Sequence, residues 1–226
     1  MENGIERDPG SFLHTIFFAH MFPRIFLRFA WAALALGYAP VGLAQTPASA
    51  TSAPKISVEA RSVGFNLVNP PGSNVKWFEA DVIVDARVVG GRSAFVDRVR
   101  VSLTLGTRVL GGTYRFYQAE MEAVTLENGP AHFRFYLPAE VVKRDGLGGE
   151  PEFWSVKITV AGEAQAFSSR QVSASLREGV RRKNFEARIA SEAPANAGVL
   201  LPQHLTPFAT AYPLATPTPV RRAPQN

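Results

Sequence analysis

Trp77–Val89, WFEADVIVDARVV, decides the fold. Phe78, Ala80, Val82, Val84, Ala86 and Val88 alternate with Glu79, Asp81, Asp85 and Arg87, and Ile83 alone breaks the pattern. Successive side chains of an extended chain point to opposite faces, so this period of two predicts a strand with one apolar and one wet face. Working outward, Val99, Val101, Leu103 and Leu105 repeat the rhythm against Arg98, Arg100, Ser102 and Thr104. Trp154, Val156, Ile158 and Val160 do so against Ser155, Lys157 and Thr159. Weaker alternation predicts strands at Ile56 to Phe65, Tyr114 to Val124, His132 to Leu137, Gln171 to Leu176 and Phe185 to Ile189.

Turn signals separate these segments. Asn69-Pro70-Pro71-Gly72, Gly90-Gly91, Gly106, Gly111-Gly112 and Asn128-Gly129-Pro130 supply positive or fixed φ where the chain must reverse. Pro138 to Arg144, PAEVVKR, reads as one short helical turn, with proline at its start and Gly146 beyond its end. No strand–helix–strand alternation is visible, which argues against a parallel sheet. Many short strands with regular turns predict an all-β fold: an antiparallel two-sheet sandwich, immunoglobulin-like, with a Greek-key barrel as the alternative.

The rest of the 226-residue chain has a different character. Met21 to Ala44 reads MFPRIFLRFAWAALALGYAPVGLA. Arg24 and Arg28 precede an uncharged run from Phe29 to Ala39, and Gly42-x-Ala44 supplies small residues behind it. Basic, apolar and small in that order is a secretory signal. The run is shorter than the about 20 apolar residues that span a bilayer. Residues 1–20 carry Glu2, Glu6 and Asp8 ahead of this signal, which predicts an over-called start with Met21 as initiator. Gln45 to Pro54 is small and polar and reads as a linker. The sandwich is expected over 55–192.

Residues 193–226 form a proline-rich tail, expected to be extended or disordered. It carries Leu200, Leu201, Leu205, Phe208, Tyr212 and Leu214, too many large apolar groups for a tail that is only soluble. Either it packs across its own domain or it docks on a partner.

The chain has no cysteine, which excludes disulfides, thiol chemistry and a lipidated N-terminal cysteine. A hydrophobic core must hold the fold. The net charge is +5, and export argues against nucleic acid as the partner of this basic chain. Its charge suits anionic envelope surfaces or polysaccharide.

Catalytic equipment is sparse after Ala44. His132 shares a strand face with Arg134 and Tyr136, and His204 lies in the tail. Two histidines so far apart form no metal-ligand spacing, and no G-x-S-x-G elbow accompanies them. Glu79 with Asp81, and Glu120 with Glu122, lie two apart on strand faces, at a separation glycosidases use. Alternating acids are also what the wet side of a sandwich carries, and that is the expectation here. Glycine pairs precede turns and not helix starts, so no phosphate loop is present. No catalytic residue, cofactor or metal is therefore expected. Surface anchors for a partner are Trp77, Tyr114, Tyr117, Leu201, Phe208 and Tyr212.

Phe133-Arg134-Phe135-Tyr136-Leu137-Pro138, followed by Glu140-Val141-Val142-Lys143-Arg144-Asp145, resembles a segment of a group of small exported proteins. The Trp77-x-Glu79 strand start and the closing strand Val156 to Gly162 add to it. That group occurs in verrucomicrobial bacteria near type IV pilus assembly genes. The resemblance covers about Lys55 to Gly162 and implies an immunoglobulin-like fold with a structural or interactive role in the envelope, without catalysis. A carbohydrate-binding module using Trp77, and a hydrolase using Glu79, Asp81 or His132, are the rival readings.

Overall fold

The computed structural model describes residues 55–90 and 94–221. The expected over-called start, signal peptide and linker lie outside the described residues. Eight strands run through them: β1 Lys55–Val68, β2 Trp77–Val89, β3 Phe95–Arg108, β4 Tyr114–Glu127, β5 Gly129–Leu137, β6 Phe153–Val160, β7 Glu163–Ala164 and β8 Leu201–Pro202. They form two four-stranded antiparallel sheets, ordered β1-β2-β5-β8 and β4-β3-β6-β7. Strands β2 and β3, and strands β4 and β5, are consecutive yet lie in different sheets, so the chain crosses between layers as immunoglobulin-like sandwiches do.

The alternation fixes which side faces in. Phe78, Ala80, Val82, Val84 and Ala86 of β2 are all at most 1 % exposed, and they meet Val99, Val101, Leu103 and Leu105 of β3 in one core. Phe133, Phe135 and Leu137 of β5, and Trp154, Val156 and Ile158 of β6, complete it. Strand β1 turns Val58 and Ala60, on even positions, into the core, and then packs the half-buried Val63 and Phe65, on odd positions, against it. A register shift between Ala60 and Ser62 reconciles the two halves, with Arg61 as the extra residue.

Two strand expectations require correction. Gln171 to Leu176 is not a strand: it forms 3-10 turns at Ser169–Gln171 and Ala174–Leu176, joined to β6 by a single bridge, Ser155 to Val172. Phe185 to Ile189 lies inside a helix, α2 Gly179–Glu192. Its alternation misled because Phe185 and Ile189 are also one helical turn apart. The flanking arginines, lysine, glutamates and alanines are good helix formers, and tertiary packing chose between the periods. The expected helical turn at Pro138 is present as α1 Ala139–Asp145, with Gly146 left-handed at its end (φ 67°).

Helix α2 covers one end of the outer face of the β3–β4–β6 sheet. Phe185 packs on Phe116 (centroids 5.9 Å apart) and Phe153 (6.0 Å), with Tyr114 beside them. Gly106 of β3 lies directly beneath: a Cβ there would sit 2.9 Å from the Phe116 ring and 3.0 Å from that of Phe185. The glycine in this strand is therefore a packing device and not a turn.

After α2 the chain returns across the other sheet. Leu201 and Pro202 pair with Tyr136 and Phe135, the His132 N–H donates to the Ala215 carbonyl (3.0 Å), and Val124 N–H donates to the Thr218 carbonyl (3.0 Å). Val220 N–H then donates to the Glu122 carbonyl (2.7 Å). Residues 200–220 thus form a strap that pairs with the outer edges of β5 and β4, which would otherwise present unpaired backbone. Leu200 and Phe208 are each 2 % exposed. The packed alternative for the tail is the one realised over these residues.

Gly106→Ala is expected to lower stability by about 1–3 kcal/mol through overpacking against Phe116 and Phe185, measured by chemical denaturation. An unchanged midpoint would mean that α2 rides loosely on the sheet.

Candidate functional site

The outer face of β2 and β5 concentrates the polar residues singled out in the sequence. Register sets Glu79 opposite Tyr136 and Asp81 opposite Arg134, with His132 one diagonal step away. The Tyr136 hydroxyl donates to Glu79 (2.7 Å), and both residues are buried. Burial, together with Glu79, pushes the Tyr136 phenol far above its ordinary pKa. Asp81 lies 2.8 Å from His132 Nδ1 and 3.6 Å from the Arg134 guanidinium. Arg134 donates to Thr216 of the strap (3.0 Å) and sits 4.3 Å from the ring centre of Tyr212.

The strap lies over this cluster. Phe208 stacks on Tyr136 (4.3 Å, 7° between planes) and meets the edge of Trp77 (5.9 Å, 77°). Gln203, 1 % exposed, holds the strap's own turns: its side-chain amide donates to the carbonyls of Phe208 (3.0 Å) and Ala211 (2.6 Å) and accepts from Thr216 (3.1 Å). A buried amide with its bonds filled locks a conformation, because breaking any one leaves an unpaired polar group.

Of the six expected surface anchors, Trp77, Leu201, Phe208 and Tyr212 come together here, in the strap or under it. Trp77 is half-buried at the start of β2, Phe208 is buried, and Tyr212 is exposed with a left-handed backbone (φ 57°). Tyr114 and Tyr117 lie on the other sheet. Tyr114 donates to Glu152 (2.5 Å) and packs on Phe153 (5.5 Å). Tyr117 is fully buried in the core. His132 faces Asp81, not open solvent, and is half-buried. Among the described residues, no group of three or more His, Asp or Glu is placed to hold a metal ion.

Tyr117 belongs to a second polar cluster that alternation did not signal. Its hydroxyl donates to Asp145, the last residue of α1. Arg144 reaches Asp145 at 2.7 Å and Tyr117 at 3.1 Å, and Arg115 lies 3.5 Å from the same carboxylate. Burial and the Asp145 contact push the Tyr117 phenol up to about 12. For Asp145 burial acts upward, but the hydrogen bonds from Arg144 and Tyr117 and the Arg115 charge outweigh it, holding the carboxyl below its usual range. The cluster ties α1 to β4.

Recesses also lie outside these clusters, and two of them bear on the strap and the β1 edge. One, about 660 Å³, runs between β4 and the strap beside His204, whose Nδ1 is buried without a hydrogen-bond partner. The other, about 540 Å³, lies at the β1 edge and is lined by charged residues including Arg61 and Arg170, neither of which the strand pattern picked out.

No protein-family model matches the chain, and no curated protein does. A crystal structure of a protein from Akkermansia muciniphila, a verrucomicrobial species, has a similar fold, with a TM-score of 0.60. The likeness covers 75% of this chain and 95% of that one at 16% identity, and it supports the sandwich fold alone.

Asp145→Asn tests the second cluster. A carboxyl held low in the folded state adds stability above its unfolded pKa of about 3.9 and loses it as pH falls through the lower folded value. The variant should be about 1–3 kcal/mol less stable at pH 7, and the gap should narrow in acid. Denaturation midpoints across pH measure this, and a gap constant with pH would contradict the assignment.

Proposed function

We propose that this is an exported, non-catalytic protein of the cell envelope that works by binding another envelope component. The observation carrying this reading is how the polar residues are used. Glu79, Asp81 and His132, the groups a hydrolase would need, are engaged with Tyr136, Arg134 and one another beneath the strap. A reactive carboxylate needs an approach path for substrate, and here Glu79 is only 6 % exposed. No helix of the described residues is long and apolar enough to cross a membrane. The basic, apolar and small order of Met21 to Ala44 supports export.

The finer form of the proposal is association with type IV pilus or secretion machinery. Its support is the resemblance of Phe133 to Asp145 to envelope proteins encoded near pilus genes, together with the sandwich likeness to a verrucomicrobial protein.

Expression of the full chain in a native-type host, N-terminal sequencing and crosslinking in intact envelope test both levels. Processing after Ala44 and crosslinks to pilus or secretion subunits are the expected results. A retained N-terminus with cytoplasmic fractionation would overturn export. Processing without any envelope crosslink would overturn the binding role alone.

A further inference from the structure

We propose that the recess at the β1 edge binds an acidic carbohydrate: a ligand with a carboxylate and several hydroxyls. This goes beyond the envelope reading and uses a separate surface, since β1 is the edge of its sheet opposite β8 and the strap. The recess measures about 540 Å³, within the range of small-ligand sites, and is lined by Ser57, Glu59, Arg61, Asp85, Arg87 and Arg170 around Ala60.

Two features of the backbone place its arginines. Arg61 is the extra residue of the β1 bulge, between the pairs Ala60–Val84 and Ser62–Ile83, so it stands outside the ladder. Arg170 is carried by the 3-10 turn Ser169–Gln171, which a reciprocal cap fixes: the Ser168 hydroxyl accepts from Arg170 N–H, and the Gln171 side chain accepts from Ser168 N–H (2.5 Å). Gln171 is 3 % exposed, so the turn is anchored and not a free loop.

The charges then sort into used and unused. Arg87 is spent on Asp85 (2.6 Å), and Glu59 accepts from the Ser57 hydroxyl (3.1 Å). The side chains of Arg61 and Arg170 make no ion pair or hydrogen bond among the described residues. A guanidinium presents a planar fork of donors that suits a carboxylate, and two such forks in one recess suit it better. Three guanidiniums against two carboxylates leave one net positive charge, which matches the single carboxylate of one uronate ring seated in the recess, with the other rings of an oligomer outside it. Glu59 and Asp85 oppose a densely charged ligand such as a polyphosphate, yet they accept hydrogen bonds from hydroxyls. Ala60 is the one apolar residue of the lining, so a lipid chain finds no apolar wall. A carboxylate on a polyol fits every part of this lining.

The test is calorimetric titration of the full mature chain with trigalacturonate, with maltotriose as the neutral counterpart and inorganic phosphate as a bare anion. Trigalacturonate should bind, maltotriose should not, and phosphate should bind at least tenfold more weakly. Arg61→Ala and Arg170→Ala should each weaken trigalacturonate at least tenfold, while Arg177→Ala, outside the recess, leaves it unchanged. Affinity should fall with added salt. Both arginines are exposed, so the variants are expected to fold, and matched melting curves check this. If either misfolds, backbone-amide shifts around Arg61 and Arg170 in the unmodified protein serve instead. Binding unchanged in the variants, shifts confined to other residues, phosphate as tight as trigalacturonate, or no binding at all would each overturn the proposal. None of these outcomes bears on signal processing or envelope crosslinking.

Discussion

The stack of Phe208 on Tyr136, with Gln203 pinning the strap that carries it, is the contact on which the rest of the architecture depends. A sandwich needs only its inner faces buried, and the outer face of β2 and β5 carries Glu79, Asp81, His132 and Arg134, which would ordinarily face water. Covering that face buries Glu79 and Arg134 and leaves Asp81 and His132 half-buried, so these groups find partners within the protein. Acid lies opposite base across the β2–β5 register, and Arg134 reaches onward to Thr216. Aromatic stacking beyond simple area burial contributes about 0.5–1.5 kcal/mol. The larger effect is selection of one strap position, because a shift would leave Arg134 without Thr216 and the His132 and Val124 N–H groups without their strap carbonyls.

The same strap changes the meaning of the sheet edges. Open edges invite added strands from other molecules, and an apolar proline-rich segment is well suited to supply one. Here the chain's own residues 215–220 meet β5 and β4. On the opposite side, the 3-10 turns after β7 lie against β1 and β6, with Val172 bridged to Ser155. Binding surfaces are then better sought in recesses between elements than along bare strands.

Much of the sandwich was legible in the sequence because strand periodicity is a direct record of burial. Phe78 to Ala86 on the even positions of β2, and Val99 to Leu105 on the odd positions of β3, are all core. What was not legible depends on contacts between distant residues. Phe185 and Ile189 fit both periods, and only the seat formed by Phe116, Phe153 and Gly106 makes the segment a helix. A polar residue such as Arg134 gives no sequence signal of burial, because its partners Asp81, Tyr212 and Thr216 are distant in the chain. The parity switch in β1 between Ala60 and Val63 was a readable sign of a bulge, and through it of Arg61.

Backbone amide hydrogen exchange on the native protein tests the strap most directly. The N–H groups of His132 and Val124 donate to Ala215 and Thr218 of the strap, each across 3.0 Å. If the strap is an integral layer, both amides should be protected to within about tenfold of amides paired between β2 and β5. Exchange of both near the rate of an unstructured peptide, with β2 and β5 still protected, would show that the strap is not a fixed part of the fold.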